Sequence, residues 1–291
     1  MSALAAGLAL VISTAGARAS GGVEQGAYIL TAAGCVGCHT TPSDKKAGVL
    51  LAGGRALKTP FGVYYSPNIT PDPEHGLGAW SEADFLTALR HGTSPRGEHY
   101  FPVFPYVSYT RISERDMRDL WAYLQTVPAV ARSEPPHEVS LIFGSRFLAG
   151  LWKLIYFKPE TLAIDPGKSP EWNRGAYLVE ALGHCGECHT PRGMLGGFQT
   201  SKHLAGTNTG PDGDSAPNIT PDSDTGIGRW SDDDLDTLFT LGMIPDGDFV
   251  GDGMGEVVEN TAKLTPEDRR AMIVYLRSLP AIQNHIGKPK N

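Results

Sequence analysis

Cys35-Val-Gly-Cys38-His39 and Cys185-Gly-Glu-Cys188-His189 carry the clearest chemistry in this chain. All four cysteines fall in these two motifs, which leaves none for a structural disulfide. Two thiols three residues apart at a helix start can each form a thioether with a vinyl group of one porphyrin. The adjacent His then presents its imidazole to the iron from one side of the ring. Other readings of the spacing are weaker. A thioredoxin-like CxxC needs a βαβ setting and no following His. A single zinc cage needs four ligands together, whereas these pairs stand 150 residues apart. Two CxxC disulfides would be strained and would add little stability. The spacing implies two covalently bound haem c groups, with His39 and His189 as proximal ligands.

A second axial ligand is expected from a loop before the last helix of each copy. Gly251-Asp-Gly-Met254-Gly255 fits that role for the second haem, with a Met in a flexible Gly-rich loop. Met243 is the alternative, and Met272 sits where a helix faces the core. Displacing Met254 by 150 lands on Phe104, which cannot bind iron. For the first haem the sequence leaves open an unligated or water-bound iron, His91, His99 or Met117, the last inside a helix. Loss of thioether ligation should lower that haem's potential relative to the other. Phe61, Tyr64, Tyr65, Tyr100, Phe101 and Phe104 can line a porphyrin or serve as ordinary core.

The elements that position these groups are duplicated. Asn68-Ile-Thr-Pro-Asp72 recurs as Asn218 to Asp222, and Gly76-Leu-Gly-Ala-Trp80-Ser81 recurs as Gly226 to Ser231, both displaced by 150. Gly26-Ala-Tyr28 matches Gly175-Ala-Tyr177, and Leu120-x-x-Tyr123-Leu124 matches Met272-x-x-Tyr275-Leu276. Matching blocks in matching order mean a duplicated domain. Each copy predicts a first helix (near 22–34 and 171–184) running into CxxCH, then a Gly- and Pro-rich loop of about 40 residues ending at the NITPD turn. A helix capped by Ser81 or Ser231 follows, with acidic residues in its first turn. A last helix closes the copy at about 113–126 and 265–278, capped by Ser113 or Thr265. The regular structure expected is all-α.

The 291 residues suit two domains at roughly 150 residues each. With 41% hydrophobic and 20% charged residues each half can bury a core, and disorder throughout is excluded; 35 Gly and 22 Pro imply long loops. A formal charge of −7 argues against nucleic acid as a partner. Residues 1–19 read as an export signal, small and apolar with Ala17-Arg18-Ala19 as the cleavage site, although no Lys or Arg precedes Arg18. The predicted order is therefore signal 1–19, first domain 20–133, bridge 134–170 and second domain 171–291.

The bridge opens on Pro135-Pro136 and is strongly apolar from Leu141 to Phe157, with Arg146 and Lys153 seven residues apart on one helical face. A helix covering the interface between the domains is the favoured reading; a membrane-surface or dehydrogenase-docking helix is the alternative. Asp232, Asp233, Asp234 and Asp236 read first as a solvated helix start, with steering of a basic partner as the alternative.

Taken together, CxxCHT twice, NITPD twice, G-[LI]-G-x-W-S twice, Phe104-Pro105-Tyr106 and Met254-Gly-Glu-Val-Val-Glu-Asn260 resemble the dihaem and trihaem cytochrome c subunits of bacterial periplasmic dehydrogenases for alcohols, gluconate and aldehydes. The resemblance spans nearly the whole chain after the leader. It implies two tandem class I cytochrome c domains, joined by a partly helical bridge, in the periplasm. It also implies a dehydrogenase as electron donor and the quinone pool, an oxidase or another cytochrome as acceptor. Relatives commonly carry Met near Phe104 or Ile112, and neither position is Met here. The rival function is a haem enzyme, a peroxidase or thiosulfate-type oxidoreductase, using an open first iron. Intact-mass measurement should find the polypeptide heavier by two haems; a colourless protein with the mass of bare amino acids would end this reading.

Overall fold

A computed structural model describes residues 15–210 and 213–287. The first half contains α1 (Ala15–Ala32), α2 (Cys35–His39), α3 (Pro42–Ala47), α4 (Glu82–His91), α5 (Tyr106–Tyr109) and α6 (Glu114–Leu124). After the bridge helix α7 (Arg146–Tyr156), the second half contains α8 (Pro170–Tyr177), α9 (Gly186–His189), α10 (Asp232–Leu241), α11 (Asp252–Thr261) and α12 (Pro266–Arg277). The segment read as an export signal lies outside the described residues up to position 14; residues 15–19 begin α1.

Capping chemistry sets the expected helix starts. Ser81 and Ser231 each accept from the backbone N–H three residues on, and Asp84 and Asp234 accept in return from the cap N–H, closing capping boxes. Ser113 and Thr265 cap α6 and α12 in the same way without the return bond. Asp232 pairs with Arg277 at 3.1 Å and Asp236 with Arg269 at 2.7 Å, so much of the acidic cluster holds α10 against α12.

One expectation needs correction: the structure is not purely helical. Strands β1 (Ala56–Thr59) and β2 (Gly62–Tyr65) form an antiparallel hairpin, and β3 (Glu138–Val139) joins β2 antiparallel. The Gly- and Pro-rich loop of the first copy concealed the hairpin, whose turn centres on Pro60-Phe61 and Gly62 at φ 127°. Because β3 belongs to the bridge, the bridge completes the first half's sheet. Tyr64 and Phe101 form a satellite core with Ala149 of α7, with ring centroids 5.1 Å apart.

Glycine decides how closely the first and last helices of each half cross. α1 packs on α6 at Gly26 and α8 on α12 at Gly175. A Cβ on Gly26 would collide with the Asp119 carbonyl and stand 2.7 Å from the Tyr123 Cβ; on Gly175 it would meet the Ala271 carbonyl and the Tyr275 Cβ at 2.8 Å. Two residues on in each block, the tyrosine serves a different purpose and reaches into the other half. Tyr28 donates to Asp268 Oδ2 at 2.6 Å and accepts from the Thr265 N–H at 3.2 Å. Tyr177 donates to Asp116 Oδ2 at 2.6 Å and accepts from the Ser113 N–H at 3.1 Å. The Gly-Ala-Tyr repeat thus contains a crossing point within its own half and a reciprocal clasp between halves. Hydrogen bonds of this kind to a charged acceptor contribute about 1.5–3 kcal/mol each.

Gly175→Ala should destabilise the protein by about 2–4 kcal/mol, because backbone on the opposite helix must move. Gly253→Ala, with open space around its Cβ, should be neutral or stabilising by up to about 1 kcal/mol. Thermal unfolding of the two variants checks the contrast.

Candidate haem sites

Each CxxCH helix ends in a histidine whose Nδ1 is already engaged. His39 Nδ1 lies 2.8 Å from the Pro67 carbonyl oxygen and His189 Nδ1 lies 2.7 Å from that of Pro217. A carbonyl only accepts, so Nδ1 carries the proton and Nε2 keeps its lone pair for a metal. Burial lowers both pKa values despite the carbonyls' opposing effect, favouring the neutral imidazole that can ligate.

The repeated NITPD turn holds those carbonyls in place. Asn68 Oδ1 accepts from the Thr70 N–H and hydroxyl at 2.9 and 2.7 Å, while its amide donates to Val130 and Arg132 carbonyls. Asn218 repeats this on Thr220 and donates to the Ile282 carbonyl at 2.7 Å. Both Asn side chains are buried, so these bonds tie the turn to the segment beyond each last helix. On the other side of each motif, the Gly53 N–H donates to the His39 carbonyl and the Gly206 N–H to that of His189. Thr40 and Thr190, the last letters of CxxCHT, accept from the Leu51 and Leu204 N–H groups, both at 3.0 Å.

The thiols suit covalent attachment better than disulfide chemistry. All four cysteines are free of disulfides. Burial pushes Cys35 and Cys185 up to about 12, the Cys35 value helped by Cys38 and the Cys185 value by Glu180. Thioredoxin-like attack needs a lowered thiol pKa, which the burial of Cys35 and Cys185 opposes. In α5 the Tyr106 hydroxyl is buried without a hydrogen-bond partner, as in a wall built against a further group. The donor set and its surroundings fit a covalently held haem.

A family profile for cytochrome c matches residues 23–128 and 173–280, once over each half. The chain belongs to the cytochrome c family. It is 44% identical to a dihaem cytochrome c-type protein of Cereibacter sphaeroides over 266 residues, covering 91% of this chain and 88% of that protein. It is 40% identical to the fructose dehydrogenase cytochrome subunit of Gluconobacter japonicus and 38% identical to the gluconate 2-dehydrogenase cytochrome c subunit of Pantoea cypripedii. Those matches cover 92% and 89% of this chain but 57% and 60% of the two relatives. The chain therefore spans little more than half the length of these dehydrogenase subunits.

Among the distal candidates of this cytochrome, Met254 stands elsewhere than the sequence implied, while Met117 and Met272 lie in the helices and core where it placed them. Met254 lies in the first turn of α11 rather than in a loop, half-buried beside a groove of about 320 Å³ walled in part by Leu241, Phe249, Val250 and Val258. Met117 is completely buried in the hydrophobic core, as is Met272 apart from a trace of exposure. His91 is exposed at the end of α4, where its carbonyl accepts from Lys153. His99 Nδ1 lies 3.3 Å from the Lys153 ammonium, and the His99 ring fills the space left by Gly150 of α7. Lys153 also donates to the Gly92 carbonyl at 3.0 Å, placing a cation at the α4 C-terminus. The basic edge of the bridge helix is thus turned inward, with Arg146 over the Phe101 ring at 4.2 Å.

The two CxxCH regions adjoin across the interface between halves. The Tyr109 hydroxyl of α5 donates to the Ala33 carbonyl, two residues before Cys35, at 3.0 Å. The Tyr109 ring meets His184, immediately before Cys185, edge-on at 5.4 Å. Ser108 donates to Glu187 within the second motif at 3.1 Å, and Arg55 of the first half pairs with Glu256 of α11 at 2.7 Å. The residue before each motif takes a left-handed backbone, Gly34 at φ 64° and His184 at φ 38°. Histidine tolerates that region at a cost that glycine avoids.

Repeat matching could not find His184, Tyr109, Arg111 or Glu180, because none has a like residue in the other copy. Glu180 is a buried carboxylate that accepts from the Tyr275 hydroxyl at 2.8 Å, lies 2.8 Å from His203 Nε2 and faces Arg111 of the first half at 3.6 Å. Burial alone would raise its pKa, but His203, Tyr275 and Arg111 outweigh it and hold the carboxyl below its usual range. In the unfolded chain a Glu titrates near about 4.3, so this stabilisation is complete above that pH and is lost as pH falls through the lower native value. Glu180→Gln should cost about 2–4 kcal/mol at neutral pH and flatten the acid limb of the stability curve. Denaturant unfolding across pH reads both effects.

Proposed function

We propose that this protein is a periplasmic dihaem electron carrier passing electrons from a dehydrogenase towards the respiratory chain. The observation that carries the reading is the duplicated histidine, tied by Nδ1 to a proline carbonyl at the end of each CxxCH and set at one common interface. Haem iron, when bound, supplies one-electron exchange between ferrous and ferric states. Cys35 and Cys38, and Cys185 and Cys188, are the thioether anchors; His39 and His189 offer Nε2 as proximal ligands. Met254 would offer its thioether to the iron of the second haem, where it would favour the reduced form. The contact of Tyr109 with Ala33 and His184 keeps the two attachment sites close enough for electrons to pass within the chain.

The donor class is supported by the relatives, whose names include cytochrome subunits of fructose, gluconate and alcohol dehydrogenases. A quinone pool, an oxidase or another cytochrome is the acceptor. Placement in the periplasm rests on the leader-like N-terminus and on the chemistry of covalent haem attachment.

A second reading, ligand or peroxide chemistry at the first haem, draws on one observation. Met117 is committed to the core, and His99 to the bridge helix, which leaves the first iron without the thioether assigned to the second. Redox titration should resolve two midpoint potentials, the first haem's the lower. Electron paramagnetic resonance of the oxidised protein, with and without cyanide, decides between the readings. Two low-spin irons indifferent to cyanide support the carrier, whereas a high-spin iron that binds cyanide and turns over peroxide would replace it with the enzyme.

A further inference from the structure

The bridge helix has two unlike faces. Its inner face is fixed to both halves: Ala149 and Lys153 are buried, and the Trp152 indole donates to the Leu195 carbonyl of the second half at 2.7 Å. Its outer face carries Phe147, Leu151, Leu154 and Ile155, of which Leu154 is 82% exposed and Phe147 72%. Two neighbouring segments adjoin the helix. The Phe143 ring lies tilted against Phe61 at 4.7 Å and Gly196 lies near both Phe61 and Trp152, so exposed Leu141 and Ile142 of one turn and Met194 and Leu195 of another flank the bridge. Leu141 and Met194 are each 95% exposed.

We infer that this face rests on the surface of a phospholipid bilayer. Charge is the first argument. The chain carries a net charge of −7, yet between Glu138 and Glu160 its only charged residues are Arg146, Lys153 and Lys158. This face can therefore approach anionic headgroups that would repel much of the remaining surface. Shape is the second argument. The side chains protrude singly and almost fully exposed, so a protein partner would need a matching pocket for each. An acyl–headgroup boundary accepts such tips without preformed pockets. Transient electron-transfer contacts between proteins are small and wet, unlike a continuous uncharged face. Among the described residues no helix is long and apolar enough to cross a membrane, so this is contact from one side. The inference goes beyond the carrier function and does not depend on it.

Flotation of the haem-loaded protein tests it, with vesicles of phosphatidylcholine alone and of phosphatidylcholine mixed with phosphatidylglycerol. The protein should float with both, and to a similar extent at low and raised salt, because Arg146 and Lys153 are engaged beneath the face. The double variant Leu154→Glu, Ile155→Glu should lower the floating fraction roughly tenfold while keeping the visible spectrum and melting temperature. Met194→Glu, on a separate loop, should lower it too and guards against a local effect on the helix. Protein that stays at the bottom with both vesicles overturns the inference, as do variants that float like the parent. Variants that float normally but no longer bind a dehydrogenase would assign the face to a protein and equally overturn it. A colourless protein that still floats would sink the carrier reading and leave this surface standing.

Discussion

The bond between a histidine Nδ1 and a proline carbonyl is the constraint on which both haem sites depend. It decides which imidazole nitrogen is free and fixes the ring against rotation, while burial keeps the imidazole neutral. Maintaining it requires a carbonyl held still at the right place, which short local structure cannot supply. The buried Asn-Thr node of each NITPD turn supplies it, bonded on one side to its own loop and on the other to the chain leaving the last helix. Loop, turn and terminal segment therefore act as one unit in each half. A disturbance in the segment beyond α6 or α12 reaches the histidine through two hydrogen bonds.

The halves are joined by the same residues that build them. Gly26 and Gly175 let first and last helices approach closely, and Tyr28 and Tyr177 carry each first helix into the cap of the other half's last helix. The arrangement approximates a two-fold relation, which places the CxxCH regions at a shared boundary. The halves also differ: among the described residues the first has the hairpin and the strand from the bridge, while the second has a π-turn at Leu178–Leu182 that carries Glu180 and leads to His184.

The bridge shows how one helix meets two solvents. Arg146 and Lys153 turn inward because the α4 C-terminus and the Phe101 and Tyr106 rings offer them carbonyls and π-faces. With both cations engaged beneath it, the outer face is left wholly apolar. An ordinary amphipathic surface helix keeps its charges outward and its apolar stripe inward; here the order is reversed, which ties the bridge to the function of the surface as well as to packing.

Wherever a residue was repeated, the sequence by itself determined the element: the helix starts at Ser81, Ser113, Ser231 and Thr265, the two CxxCH motifs and the NITPD turns all follow from local capping, turn and spacing chemistry. Duplication made these legible, because each motif was seen twice at one displacement. The hairpin at Ala56–Tyr65 was not legible, since its strands are short and its third strand arrives from beyond residue 137. Met254 read as loop because glycines on either side mask a helix that tertiary packing stabilises. Only the tertiary structure decided that His99 serves the bridge, and that Tyr109, His184 and Glu180 meet at the interface. Those assignments depend on which distant surfaces are brought together, and a linear pattern records periodicity within an element, not the partner across from it.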